Sequence, residues 1–266
     1  MNYIFNYYFN DLTDFMDMRT RIKKIFQNFI IILGFILLTF TSSINAETIF
    51  HERYYPNGKG PFPVIIALHT SSGYKSVRKA VNGFLKAGYA VYTPDFFKKY
   101  GINHKNRFET WTKYRLEIEK DLIEIVQTAK SDVKTNPKNI FAVGYSNGGY
   151  WASFLAAKKY VNAGASHYGV WSWPKTHNGY PAKYFSENSN PLLALHGNKE
   201  TVQTLKWVKP QINKAANASS NFKYHVFKEV GHSWDCKPCK KDGYSLEVSK
   251  KALKMTLNFF KESTLN

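Results

Sequence analysis

The chain has 266 residues, of which 44% are apolar, 17% aromatic and 21% charged, and it carries a formal net charge of +18. That composition supplies a full hydrophobic core and excludes collagen-like, coiled-coil and disordered classes. One domain accounts for the length better than two.

The amino terminus is organised like a secretory signal. Arg19, Arg21, Lys23 and Lys24 precede the apolar run FIIILGFILLTF from Phe29 to Phe40, and small and polar residues follow up to Ala46. The run is shorter than the ~20 residues of a spanning helix. Cleavage after Ala46 is therefore expected, which makes residues 1–46 a signal and 47–266 a single exported domain, periplasmic or secreted. An uncleaved anchor is the alternative, and a start at Met16 or Met18 would give a more ordinary signal. The remaining chain keeps a formal +17. Such a charge favours polyanions, for an exported protein an anionic envelope surface ahead of nucleic acid. The lysines are scattered rather than blocked, which suits plain solubility equally well.

Beyond Glu47 short apolar runs alternate with amphipathic stretches. Pro63 to Leu68 (PVIIAL) reads as a buried strand, Val77 to Ala87 as a helix ending at Gly88, and Ala90 to Thr93 as a second strand. Phe108 to Ala129 has helical spacing, and Asn139 to Val143 is a third strand. A helix from Gly148 to Lys158, strands at Ala163 to Tyr168 and Leu192 to His196, a helix at Val202 to Ala216, a strand at Phe222 to Phe227 and a helix at Leu246 to Lys261 complete the pattern. This alternation predicts an α/β fold, a mostly parallel doubly wound sheet with helices on both faces. Ligands of such sheets bind beyond the carboxyl ends of the strands.

At one such end stands Gly144-Tyr145-Ser146-Asn147-Gly148. G-x-S-x-G is weak alone, but here it joins the strand Ile140–Val143 to a helix, the junction that exposes a nucleophilic serine. Any side chain at Gly144 or Gly148 would collide with the neighbouring helix and strand. A serine hydroxyl needs a histidine to take its proton and a carboxylate to orient that histidine. In chain order Glu200 is the first carboxylate beyond Leu192–Leu195, and His232 follows the last strand. The bland readings are a solvated loop acid and a satisfied loop histidine. Of the other histidines, His51, His104, His177 and His225 fall on surface segments, His196 shapes the turn before Glu200, and His167 is open. The oxyanion of a tetrahedral intermediate needs two N–H donors. Asn147 supplies one, and Thr70, with Ser71 as runner-up, supplies the other.

Over nearly all of the chain after the signal, the sequence resembles the dienelactone hydrolase family of α/β hydrolases. The resemblance rests on Gly60 to His69, Gly88 to Asp95, the Ser146 elbow, Leu195-His196-Gly197 and Gly231-His232. It implies an α/β-hydrolase fold and hydrolysis of a small-molecule or polymer-linked ester without metal or organic cofactor. The founding members use a cysteine nucleophile and an aspartate where Ser146 and Glu200 stand here. Their carboxylate-recognising arginine is replaced by Asp235 and Cys236. The expectation is thus a general esterase with a Ser146–His232–Glu200 triad.

Cys236-Lys237-Pro238-Cys239 is the chain's one cysteine pair. In an exported protein it reads as a disulfide that stiffens the His232 loop. A thiol oxidoreductase would need a thioredoxin-like unit, and zinc through His232 lacks a fourth ligand. Trp171 and Trp173 offer an aromatic wall for substrate or ordinary packing, and Ser71 and Tyr145 are further substrate contacts. A peptidase or amidase, or a catalytically silent envelope-binding module, is the competing function on this fold.

Overall fold

A computed structural model of the chain describes residues 49–172 and 181–265, together with Met18, Lys23, Lys24, Phe26 and Gln27. The chain divides into two units, Met1–Glu47 and Thr48–Asn266. In the first, the five described residues are helical. The apolar run at 29–40, the cleavage point at Ala46, Trp173 and His177 lie outside the described residues. No helix among the described residues is long and apolar enough to cross a membrane.

The second unit is built on a sheet of seven strands: β1 (His51–Tyr54), β2 (Phe62–Leu68), β3 (Ala90–Pro94), β4 (Thr135–Tyr145), β5 (Ala163–His167), β6 (Leu192–Gly197) and β7 (Phe222–Phe227). Their spatial order is β1-β3-β2-β4-β5-β6-β7. Only β1 runs antiparallel to its neighbour, pairing His51 with Pro94 and Tyr54 with Val91. All other pairings are parallel. The helices are α1 (Arg78–Lys86), α2 (Arg115–Ser131), α3 (Asn147–Ala157), α4 (Leu205–Ala218) and α5 (Leu246–Glu262). This is the expected α/β architecture.

The apolar runs are continuous because both sheet faces are covered. Alternate side chains of β2 go to opposite sides, as the two-residue strand period requires. Val64, Ile66 and Leu68 join a core with residues of α2, α3 and α4, while Ile65 and Ala67 join another with α1 and α5. A helix on the first of these faces, α3, is buried over its whole length, from Asn147 to Ala157. On the other face, α5 starts where the Ser245 side chain accepts the Val248 N–H at 3.2 Å, satisfying one free donor of its first turn.

Two boundaries differ from the expectation for identifiable reasons. The predicted helix from Phe108 begins at Arg115, because residues Arg107–Thr110 form a separate 3-10 turn that seats Trp111 in the core. The predicted helix from Val202 begins at Leu205, since the Val202 and Gln203 amides are bonded to the Glu200 carboxylate instead.

Candidate active site

The carboxyl end of β4 turns sharply into α3 at Ser146, whose backbone has φ 52° and ψ −110°. An L-residue tolerates this left-handed-side conformation only when its surroundings enforce it. Here the Ser146 N–H donates to the His167 carbonyl at 3.0 Å, and its own carbonyl accepts from Gly149 and Val170 at 2.9 and 3.1 Å. A Cβ on Gly144 would lie 1.9 Å from the Gly148 carbonyl oxygen, and one on Gly148 would lie 2.2 Å from that of Leu68. Both glycines are fixed by backbone that cannot give way, as the motif required.

Three side chains from three strand ends converge here. His232, beyond β7, lies with Nε2 2.9 Å from the Ser146 hydroxyl and Nδ1 2.7 Å from Glu200 Oε2. Glu200, beyond β6, accepts with its other oxygen from the amides of Val202 at 2.8 Å and Gln203 at 3.1 Å. Burial alone would raise the Glu200 pKa, but the His232 contact and the two amides outweigh it and hold the carboxyl below its usual range. Glu200 is 5% exposed and His232 8%, so neither is the solvated loop group of the bland reading. The proton on the His232–Glu200 edge must sit on Nδ1, since a carboxylate only accepts, which leaves the Nε2 lone pair facing the serine.

Around this line stand groups that the sequence did not single out. Tyr168, directly after β5 at φ 37°, lays its ring edge-on against the imidazole of His232, 4.9 Å between centroids. Its hydroxyl donates to Asp235 Oδ1 at 2.6 Å. Burial raises the Asp235 pKa above the ordinary carboxylate value, and the Tyr168 hydrogen bond offsets only part of that. Gln203 bridges two loops: its Oε1 accepts from Trp171 and Ser172 at 3.0 and 3.1 Å, and its Nε2 donates to the Ser172 carbonyl at 2.8 Å. A positive φ after a strand was invisible in the sequence, and a glutamine between loops carries no motif.

Three predicted contacts need correction. Trp171 does not form a wall over the serine. It is 1% exposed and packs against Phe185 and Phe222 in the core, because the loop turns inward under Gln203. Tyr145 is also buried, against His167 and Tyr168 on the α1 and α5 face, since the β4 alternation that lifts Ser146 sends its neighbour behind the sheet. The Thr70 N–H, favoured as oxyanion donor, is engaged by the Ser76 hydroxyl at 3.1 Å. The Ser71 N–H has no acceptor among the described residues. Asn147 is the first residue of α3, where an N–H has no preceding turn to bond.

Of the histidines, His196 is buried with Nε2 2.7 Å from the Gln203 carbonyl, in keeping with a turn role. His167 is buried and bonds Thr256 Oγ1 at 2.8 Å, and His104 is exposed. The sulfurs of Cys236 and Cys239 lie at bonding distance, with Cα atoms 5.1 Å apart. They border a cavity of about 330 Å³ that also meets Thr70, Lys79, Tyr168 and Asp235.

The model of the dienelactone hydrolase family matches residues 52–264. The chain belongs to that family. It is 24% identical over 188 residues to the carboxymethylenebutenolidase of Pseudomonas putida, covering 66% of this chain and 76% of that protein. Among solved structures it is similar to a thermophilic esterase of Thermogutta terrifontis, at 14% identity and TM-score 0.64 over 83% of this chain and 92% of the other. A dienelactone hydrolase-like promiscuous phosphotriesterase from metagenomic libraries matches at 16% identity and TM-score 0.63, over 81% and 92% of the two chains. The structural likenesses establish the α/β-hydrolase fold, and membership of the family makes the protein a hydrolase, both as the sequence implied.

Proposed function

We propose that this member of the dienelactone hydrolase family is an exported serine esterase, cleaving carboxylic esters of small or polymer-linked substrates through an acyl-enzyme. The observation that carries the reading is the unbroken line from Ser146 Oγ through His232 to Glu200, at 2.9 and 2.7 Å. His232 Nε2 takes the hydroxyl proton as Ser146 Oγ attacks the acyl carbon, and Glu200 stabilises the imidazolium that forms. The tetrahedral oxyanion is held by the N–H groups of Asn147 and Ser71. Collapse expels the alcohol, which leaves with the proton from His232. Water then attacks the acyl-serine by the same route and frees the acid.

Export is supported by the basic, apolar and small-residue order of residues 19–46. A Cys236–Cys239 disulfide fits an oxidising compartment and would tie down the turn that follows His232. The formal +17 left after cleavage suits association with an anionic envelope surface rather than nucleic acid.

The test is labelling by a fluorophosphonate together with turnover of a panel of p-nitrophenyl esters. The wild-type chain is expected to label at Ser146 and turn over, and Ser146→Ala to do neither while keeping its thermal midpoint. Full activity in Ser146→Ala would overturn the reading, and absence of labelling in the wild type would point to a silent binding module.

A further inference from the structure

His69 is the last group of the strand end after Leu68, fully buried, with its ring stacked on Phe96 at 3.8 Å between centroids. Its Nδ1 lies 2.7 Å from the Thr70 carbonyl oxygen. A carbonyl only accepts, so Nδ1 carries a proton. Burial lowers the His69 pKa to about 4, so the ring is neutral near pH 7 and that proton is its sole one. Nε2 is then a bare lone pair, and it has no hydrogen bond among the described residues. Asp95 Oδ1, 3.7 Å from it, already receives the Phe97 and Lys98 amides. The tautomer is therefore set by the Thr70 carbonyl alone.

That carbonyl belongs to the same planar unit as the Ser71 N–H. Among the described residues the one cis peptide is Gly60–Pro61, so Thr70–Ser71 is trans. In a trans peptide C=O and N–H point in opposite directions. The Thr70 oxygen is held from one side by His69 Nδ1 and the Gly73 N–H, the latter at 3.1 Å. The Ser71 N–H is thereby aimed away from both. The other end of the loop is anchored too: the Thr70 N–H is held by Ser76 Oγ, and the His69 carbonyl accepts the Gly148 N–H at 2.9 Å, which ties this strand end to the first turn of α3 behind Ser146.

We infer that His69 is a positioning residue for the oxyanion hole: its Nδ1–H fixes the Thr70–Ser71 peptide plane so that the Ser71 N–H, rather than that of Thr70, faces the oxyanion. This rests on the serine-esterase reading and adds to it the group that orients the second donor. His69 touches no reacting atom and transfers no proton. Because the oxyanion carries full charge only in the tetrahedral state, a mis-aimed donor lowers kcat and leaves KM nearly unchanged.

The experiment compares His69→Phe, His69→Asn and His69→Gln on one p-nitrophenyl ester, with circular dichroism and thermal midpoints recorded for each. Phe keeps the stacking on Phe96 and removes the donor. Asn places its amide nitrogen near the position of Nδ1, and Gln near that of Nε2. His69→Phe and His69→Gln are expected to lose roughly 10²-fold in kcat at little change in KM, the loss typical of removing one oxyanion donor. His69→Asn should recover to within about tenfold of wild type on the same ground. A boronic acid that mimics the tetrahedral adduct should follow the same order of affinity. If His69→Phe does not fold, the Asn and Gln pair decides. Equal kcat in those two, or wild-type kcat in a folded His69→Phe, overturns the inference while the esterase reading stands. A wild-type chain without turnover overturns both.

Discussion

Glu200 divides its carboxylate, giving one oxygen to His232 Nδ1 at 2.7 Å and the other to two successive amides, Val202 at 2.8 Å and Gln203 at 3.1 Å. Three N–H donors thus point at one side chain. Glutamine has one oxygen and an NH₂ that only donates, so Glu200→Gln sets donor against donor at one end or the other. The expected result is a fall in kcat of roughly 10³ to 10⁴, as when the acid of such a triad becomes an amide. A stability loss of about 1–3 kcal/mol should accompany it, the cost of a buried donor left unpaired. Ester kinetics and a urea midpoint check the two parts separately, and unchanged kcat would remove Glu200 from the mechanism.

The elbow glycines make a sharper steric prediction. In Gly148→Ala the new Cβ would stand 2.2 Å from the Leu68 carbonyl oxygen, and that atom is held in β2. Strand and helix must separate, which moves Ser146 away from His232. Activity is expected to fall by at least 10²-fold, since small misplacements of a nucleophile have that effect. Gly58→Ala is the control: its φ of +114° makes the substitution strained, but no atom lies within 4 Å of the new Cβ. It should cost roughly 1–3 kcal/mol of stability and leave kcat alone. Comparable kcat losses in the two variants would refute the steric account.

Asp235 invites a test in which the sign matters. Burial lifts its folded-state pKa above 3.8, so the folded chain holds this proton more tightly than the unfolded one. Above the raised pKa the charged carboxyl is a net burden on the fold, and the burden is relieved as pH falls toward 3.8. Asp235→Asn keeps an oxygen for the Tyr168 hydroxyl and carries no charge. It is expected to match or exceed the wild-type thermal midpoint at pH 7, with the difference shrinking by pH 4. A variant less stable at pH 7 than at pH 4, relative to wild type, would show that the carboxylate charge supports the fold.

Six of the seven strands were legible, most plainly where an apolar run such as Val64–Leu68 or Leu192–Leu195 has its side chains buried on both faces. β1 was not, since His51-Glu52-Arg53-Tyr54 has no apolar run and is a strand only because its backbone pairs with the edge of β3. That the side chains of Ser146, Glu200 and His232 meet could be anticipated because each follows a strand end in chain order. The choice between Thr70 and Ser71 could not, because it depends on which way a peptide plane is turned, and that is set by His69 and Ser76 from outside the motif. The inward turn of Trp171 depends likewise on Gln203, more than thirty residues away in sequence.

The last prediction concerns acid. His167 is buried, and the hydroxyl of Thr256 donates to the Ala252 carbonyl at 2.9 Å, so it can only accept from His167 Nε2. Nδ1 is left without a proton, and burial lowers the pKa from 6.5 to about 3. Burial lowers that of His69 to about 4. In the unfolded chain both titrate near 6.5, so as pH falls below that value the unfolded state takes up protons that the folded state refuses. Stability is whole above pH 6.5 and is lost progressively below it, for His69 down to about 4 and for His167 to about 3. Each contributes on the order of 1 kcal/mol per pH unit. Glu200 cannot be the source of this loss, because its pKa is held below the usual carboxylate range and its contribution disappears only as pH falls through that lower value. His167→Gln has no such proton to refuse. Urea unfolding between pH 7 and 5 should therefore give a shallower dependence on pH in the variant, by close to one proton at pH 5. Identical slopes in the two chains would mean that His167 protonates as readily folded as unfolded.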